Sequence, residues 1–154
     1  MNYQTILVGT DGSESSFRAV ERASRLAATE QALVILVCAH HAMTAREQAI
    51  VGRTLGDIRF DQVAGADVAE KALAAATRHA HNAGATRVEA RLVEGDPAQA
   101  LLSVAEEASG DLIVVGNRGI NSLSGRLLGS VPADVSQRSS CDVLIVHTTQ
   151  GGRS

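Results

Sequence analysis

Asp111-Leu112-Ile113-Val114-Val115-Gly116-Asn117-Arg118-Gly119 changes character halfway along. The apolar run 111–115 reads as a buried strand, and glycines then fall at positions 116, 119 and 129. A hydroxyl sits at Ser130, where a new helical pattern begins. Strand, open glycine-punctuated loop and helix start follow one another without interruption. Backbone N–H groups beside residues lacking Cβ can approach an anion closely, and the first turn of a helix leaves N–H donors unpaired. The physical reading is a phosphate cradle, against the plainer one in which the glycines only turn the chain. The spacing is wider than that of a dinucleotide fingerprint, and no Gly-Lys-Ser/Thr occurs that would make a P-loop.

Working outward, Thr5-Ile6-Leu7-Val8 is an apolar strand closed by Gly9-Thr10-Asp11-Gly12-Ser13. A helix is predicted from Ser13 to Thr29, with Phe17, Val20, Ala23 and Ala27 on one face. Leu33 to Val37 is a second continuous apolar run, as in a strand covered on both sides. Residues 40–63 are polar and irregular, with a Thr44 to Glu47 capping-box pattern, and are expected to form a lid or mobile connection. A helix follows over 66–83, and alternation from Arg87 to Val93 marks strand three, with Val88, Ala90 and Leu92 pointing one way. Asp96-Pro97-Ala98-Gln99 is a helix start, with Asp as cap, Pro at the first helical position and Gln three residues after the cap. A helix over 130–139 and a last strand, Val143 to His147, complete residues 1–148, and 149–154 is expected to be a disordered tail. Strands that alternate with helices and are too apolar for one exposed face make a single α/β domain with a parallel sheet between helical layers. Strand order is not legible in these patterns.

Composition removes several classes of function. With 154 residues, 45% hydrophobic and 20% charged, the chain matches one globular domain, and a net charge of −3 offers no basic field to nucleic acid or to an acidic membrane surface. No apolar run approaches a membrane span, no signal peptide is apparent, and Cys38 and Cys141 read as buried thiols of a reducing compartment, so a cytoplasmic protein is expected. Lys71 is the single lysine, and the aromatics are Tyr3, Phe17 and Phe60 alone. A flavodoxin-type carrier, which stacks rings on its flavin, and a receiver domain, which needs a lysine after strand five, are both disfavoured. The five histidines show no zinc-ligand spacing, and no metal site of protein ligands is expected.

Gly116, Gly119, Gly129 and Ser130 match Gly-x2-Gly-x9-Gly-Ser without a gap. In this the chain resembles the nucleotide-binding members of the universal stress protein family, from Ile6-Leu7-Val8-Gly9-Thr10-Asp11-Gly12-Ser13 to Val143-Leu144-Ile145-Val146. The resemblance implies a three-layer α/β/α sandwich of the adenine nucleotide alpha hydrolase-like type, with five parallel strands in the order 3-2-1-4-5. That order puts the switch point between strands one and four, where both unusual loops emerge. Asp11 is either the side chain of an Asx-turn or helix cap, or, as the resemblance implies, a partner of the ribose hydroxyls. Gly9 and Thr10 would line the nucleoside pocket, the backbone at Cys38 would face the adenine edge, and Val115 would pack near base or ribose. Gly116, Gly119, Gly129 and Ser130, with the N–H of Val131, would hold the phosphates. Arg118 and Arg126 are solvated loop arginines or phosphate or subunit contacts, while Ser122 and Ser124 read as ordinary loop serines.

The ligand expected first is ATP, with or without Mg²⁺. Cyclic AMP is second, because Leu127-Leu128-Gly129-Ser130-Val131-Pro132 resembles the corresponding stretch of actinobacterial members that bind it. A nucleotide-free interaction protein is the rival from another class, since some family members lack the glycine motif. Phosphoryl transfer needs charge neutralisation and a positioned nucleophile; with no phosphate lysine and no catalytic residue identified, hydrolysis is expected to be no faster than about 10⁻⁴ s⁻¹. The expected role is a stress-response sensor or switch more than an enzyme. An apolar last strand at the sheet edge, Val143 to His147, and the family's habit of pairing it across a two-fold axis imply a homodimer.

Overall fold

The computed structural model describes residues 2–41, 59–117 and 128–148, with backbone alone over 59–64. Nine elements alternate through these residues: β1 (Thr5–Gly9), α1 (Glu14–Glu30), β2 (Leu33–His40), α2 (Arg59–Asn82), β3 (Arg87–Glu94), α3 (Pro97–Glu107), β4 (Leu112–Gly116), α4 (Ser130–Arg138) and β5 (Asp142–Val146). The strands form one sheet in the order β3-β2-β1-β4-β5, and every neighbouring pair is parallel. This is the three-layer architecture and strand order implied above.

The period of two along each strand divides the apolar residues between two cores. Ile6 and Val8, Val34 and Leu36, and Leu112 and Val114 face α1 and α2. Leu7, Ile35, Val37, Ile113 and Val115 face α3 and α4. The first helical layer meets the sheet through Ala19, Ala23, Ala27, Ala69, Ala72, Ala76 and Ala80, whose small side chains let both helices approach closely. With both faces covered, the central strands carry continuous apolar sequence.

Helix starts agree with local chemistry. Ser13 caps α1 by accepting from the Ser16 N–H at 3.1 Å, and Asp96 caps α3 by accepting from the Gln99 N–H at 2.9 Å. Only half of the capping box forms at α3. The Gln99 side chain turns away from Asp96, donating to Ser103 Oγ and accepting from Arg138, and so ties α3 to α4.

Two boundaries differ from the sequence reading. β2 continues to His40, because β3 supplies a full run of partners from Leu33↔Arg87 to His40↔Glu94. α2 begins at Arg59 and not at residue 66. Gly65 lies inside the helix despite a cost of about 1 kcal/mol relative to alanine. A side chain at Gly65 would come within 2.9 Å of the His41 carbonyl, so the glycine permits α2 to pass close to the exit of β2. The expected lid lies mostly in 42–58, outside the described residues, as do the Thr44 to Glu47 capping box and the tail 149–154. Among the described residues no helix is long and apolar enough to cross a membrane.

Candidate functional site

The β1 exit is built by hydroxyls. The Thr10 N–H donates to the Val37 carbonyl at 3.0 Å, extending the β1–β2 ladder by one step. The Ser16 hydroxyl donates to the Ser13 carbonyl at 2.8 Å, so its contact with Thr10 at 2.8 Å is one in which Thr10 donates. Thr10 Oγ1 in turn accepts from the Gly12 N–H at 3.2 Å. Gly12 has φ +85°, which holds the turn in the left-handed region that glycine tolerates best. Asp11, at the surface, accepts from Ser13 N–H at 3.0 Å and from Ser13 Oγ at 2.6 Å. The Asx-turn reading of Asp11 is therefore realised, while the helix cap itself is Ser13.

Val8 pairs with Val114, so Gly9 to Asp11 leave the sheet beside Val115 and Gly116. Val115 is buried in the α3–α4 core and Gly116 stands opposite Val146. The Asn117 N–H donates to the Val146 carbonyl at 2.9 Å, and the Gly129 N–H donates to the Asn117 carbonyl at 2.9 Å. Asn117 and Gly129 thus meet at the carboxyl end of β4. Gly129 is the N-cap of α4 and offers no side-chain cap bond to the first turn. Ser130 is exposed there, and Val131 packs against the α3–α4 core. Arg118, Gly119, Ser122, Ser124 and Arg126 lie outside the described residues.

Cys38 is 4% exposed, with its side chain in the core beneath α1 and α2. Burial pushes its thiol up to about 11, and the Asp11 charge adds to the rise, which brings the Asp11 turn and the far end of β2 into one electrostatic neighbourhood. Backbone polar groups of alternate strand residues point to alternate neighbours. Since Val37 offers its carbonyl to Thr10, Ala39 faces the same side, beyond the end of β1, and Cys38 faces β3. Alternation is visible in sequence but its phase relative to β1 is not, so which residue at the end of β2 faces that side was not legible there.

Two further residues meet at this end of the sheet and drew no notice in the sequence. Asn117 Oδ1 accepts from the N–H and the hydroxyl of Thr148, both at 3.0 Å. The Thr148 hydroxyl lies 2.6 Å from Ser15 Oγ, and its carbonyl accepts from Arg18 Nη1 at 3.1 Å. A polar residue just past an apolar strand was the available signal.

His79 and His81 are engaged elsewhere, on α2. His79 stacks on Phe17 with ring centroids 4.4 Å apart and lies 2.9 Å from Glu21, and His81 pairs with the Ala85 carbonyl. Among the described residues no three His, Cys, Asp or Glu side chains are grouped to hold a metal ion.

Comparison with known proteins extends these observations. The family model for universal stress proteins matches residues 2–147. A universal stress protein of Mycobacterium tuberculosis is 47% identical over 147 residues, covering 96% of this chain and 98% of that one. A universal stress protein of Bacillus subtilis is 32% identical over 94% of this chain and 99% of its own. Among solved structures, a universal stress protein in complex with cyclic AMP superposes with a TM-score of 0.75 at 43% identity, over 97% of this chain and 100% of that one. On the sequence match, the shared strand order and this superposition, the chain belongs to the universal stress protein family.

Proposed function

We propose that this protein binds an adenine nucleotide across the carboxyl ends of β1 and β4 and works as a stress-response sensor or switch. The observation that carries the reading is the α4 start: Gly129, free of a Cβ, is hydrogen-bonded to the end of β4 and leaves the first turn without a side-chain cap. Gly116, Gly129, Ser130 and the N–H of Val131 hold phosphate in this reading, with Arg118 and Gly119 included on the sequence motif. Asp11 meets the ribose from its exposed turn, Gly9 and Thr10 line the nucleoside, Val115 supports it, and the backbone at Ala39, next to Cys38, meets the adenine edge.

A helix end contributes about 0.3–1 kcal/mol to a nearby charge, and up to about 2 when partly buried. Micromolar binding requires about −8 kcal/mol, so the base and ribose contacts must supply most of the affinity. Cyclic AMP is the first reading, supported by the 43%-identical relative solved with cyclic AMP. ATP, with or without Mg²⁺, is the second reading, carried by the complete Gly-x2-Gly-x9-Gly-Ser spacing. The free thiols Cys38 and Cys141 suit the cytoplasm, where both nucleotides occur.

Isothermal titration with cyclic AMP, AMP and ATP tests this. Saturable binding is expected, tightest for cyclic AMP, and Ser130→Ala should weaken it about 5-fold, the size of one net hydrogen bond. Absence of heat with all three nucleotides would remove the reading, leaving the nucleotide-free interaction protein in its place.

A further inference from the structure

We propose that Asn117 is a positioning residue for the phosphate cradle, and that through Thr148 it braces the cradle against the α1 wall of the cleft. The proposal rests on the nucleotide-binding reading above and adds to it a role for two side chains outside the glycine motif. The hydrogen bonds leave little freedom in their direction. Thr148 N–H can only donate, so the Asn117 atom facing it at 3.0 Å must be the amide oxygen. That oxygen cannot donate, so the Thr148 hydroxyl, also at 3.0 Å, gives its single proton to Asn117. Ser15, 2.6 Å from the same hydroxyl, must then be the donor in that contact. With its carbonyl taken by Arg18, Thr148 has its N–H, O–H, Oγ1 and C=O all engaged, and it is 3% exposed.

The result is one chain of oriented bonds, from Ser15 to Thr148 to Asn117, across the top of the sheet. At one end Ser15 lies in the first turn of α1, two residues from Ser13, which closes the Asp11 turn. At the other end the Asn117 carbonyl accepts from Gly129 N–H, the residue that starts α4. Fixing the Asn117 side chain fixes the direction of its peptide groups, and hence where the cradle stands relative to the Asp11 wall. Partners 133 and 31 residues apart in sequence meet at a buried hydroxyl whose desolvation is tolerable only when every bond is made.

The consequence is selective. Releasing the brace displaces the phosphate-binding end and spares the nucleoside-binding end. Calorimetric titration of the full chain with cyclic AMP, ATP and adenosine, together with thermal unfolding without ligand, reads this out. Asn117→Ala is expected to weaken the phosphate-bearing nucleotides about 10-fold while adenosine changes by no more than about 2-fold. Thr148→Val keeps the backbone bond to Asn117 and should lose about 3-fold in the same selective manner, whereas Thr148→Ser, which keeps both donors, should bind as the wild type does. Should Asn117→Ala fail to fold, the Thr148 pair decides. Unchanged affinity for phosphate-bearing nucleotides in Thr148→Val, or a loss shared equally by adenosine, overturns the brace. A wild-type chain that binds no adenine nucleotide overturns the functional reading itself, a different outcome.

Discussion

Cys38 shows how far a side chain's behaviour follows from its place in the fold. In sequence it is a cysteine in an apolar run; in the structure it lies beneath two helices with the Asp11 carboxylate nearby. Burial, then the Asp11 charge, raise its pKa from 9.0 to about 11, so folding favours the neutral thiol. The sign follows from linkage. The unfolded chain ionises first, so this contribution is fully present below pH 9.0 and is lost as pH rises towards about 11. Unfolding free energy measured by urea titration across that window should fall by at most about 1.4 kcal/mol per pH unit more in the wild type than in Cys38→Ala. Equal slopes for the two proteins would show that the thiol ionises as freely folded as unfolded.

At the scale of elements, the capped helices contrast with α2. Asp96 and Pro97 announce α3 within four residues, because cap, ring and first-turn amide are all local. Asp96→Ala should lower stability by about 1 kcal/mol in denaturant unfolding, as expected for loss of a side-chain N-cap. A change below a few tenths would mean that the Gln99 tie to Arg138 alone fixes this end of the helix. The start of α2 has no comparable signal. Gly65 looks like a breaker in sequence, and only the close passage of the helix over the His41 carbonyl shows why a side chain is unwelcome there.

At the scale of the molecule, the two sheet edges differ in kind. β3 carries Arg87, Glu89, Arg91 and Glu94, a charged edge that discourages strand addition. β5 presents Val143, Leu144, Ile145 and Val146, all half-buried, at the opposite edge. Among the described residues no strand covers this apolar edge, which invites a second one, so the protein is expected to pair β5 with β5 of a second copy as a homodimer. Sedimentation at micromolar concentration should show a species of twice the 16.0 kDa chain mass, and Ile145→Pro, which removes an outward-facing donor because Val146 and Leu144 face β4, should shift it to the monomer. A wild-type protein sedimenting only at 16.0 kDa contradicts the pairing.

The amino-acid sequence by itself determined the alternation of strands and helices, the double-sided burial of the central strands and the position of the glycine loop. These signals are carried by residues within about four positions of one another, the reach of a cap, a turn or a helical repeat. The family resemblance supplied the strand order, which no local pattern encodes, because a strand's neighbours are chosen by how crossovers pack. Tertiary structure alone decided the rest: that Ala39 and not Cys38 faces the space beyond the end of β1, and that Thr148 joins Ser15 to Asn117. The first depends on the phase of one strand against its neighbour. The second depends on three hydrogen-bonding groups, distant along the chain, meeting at one buried residue, Thr148.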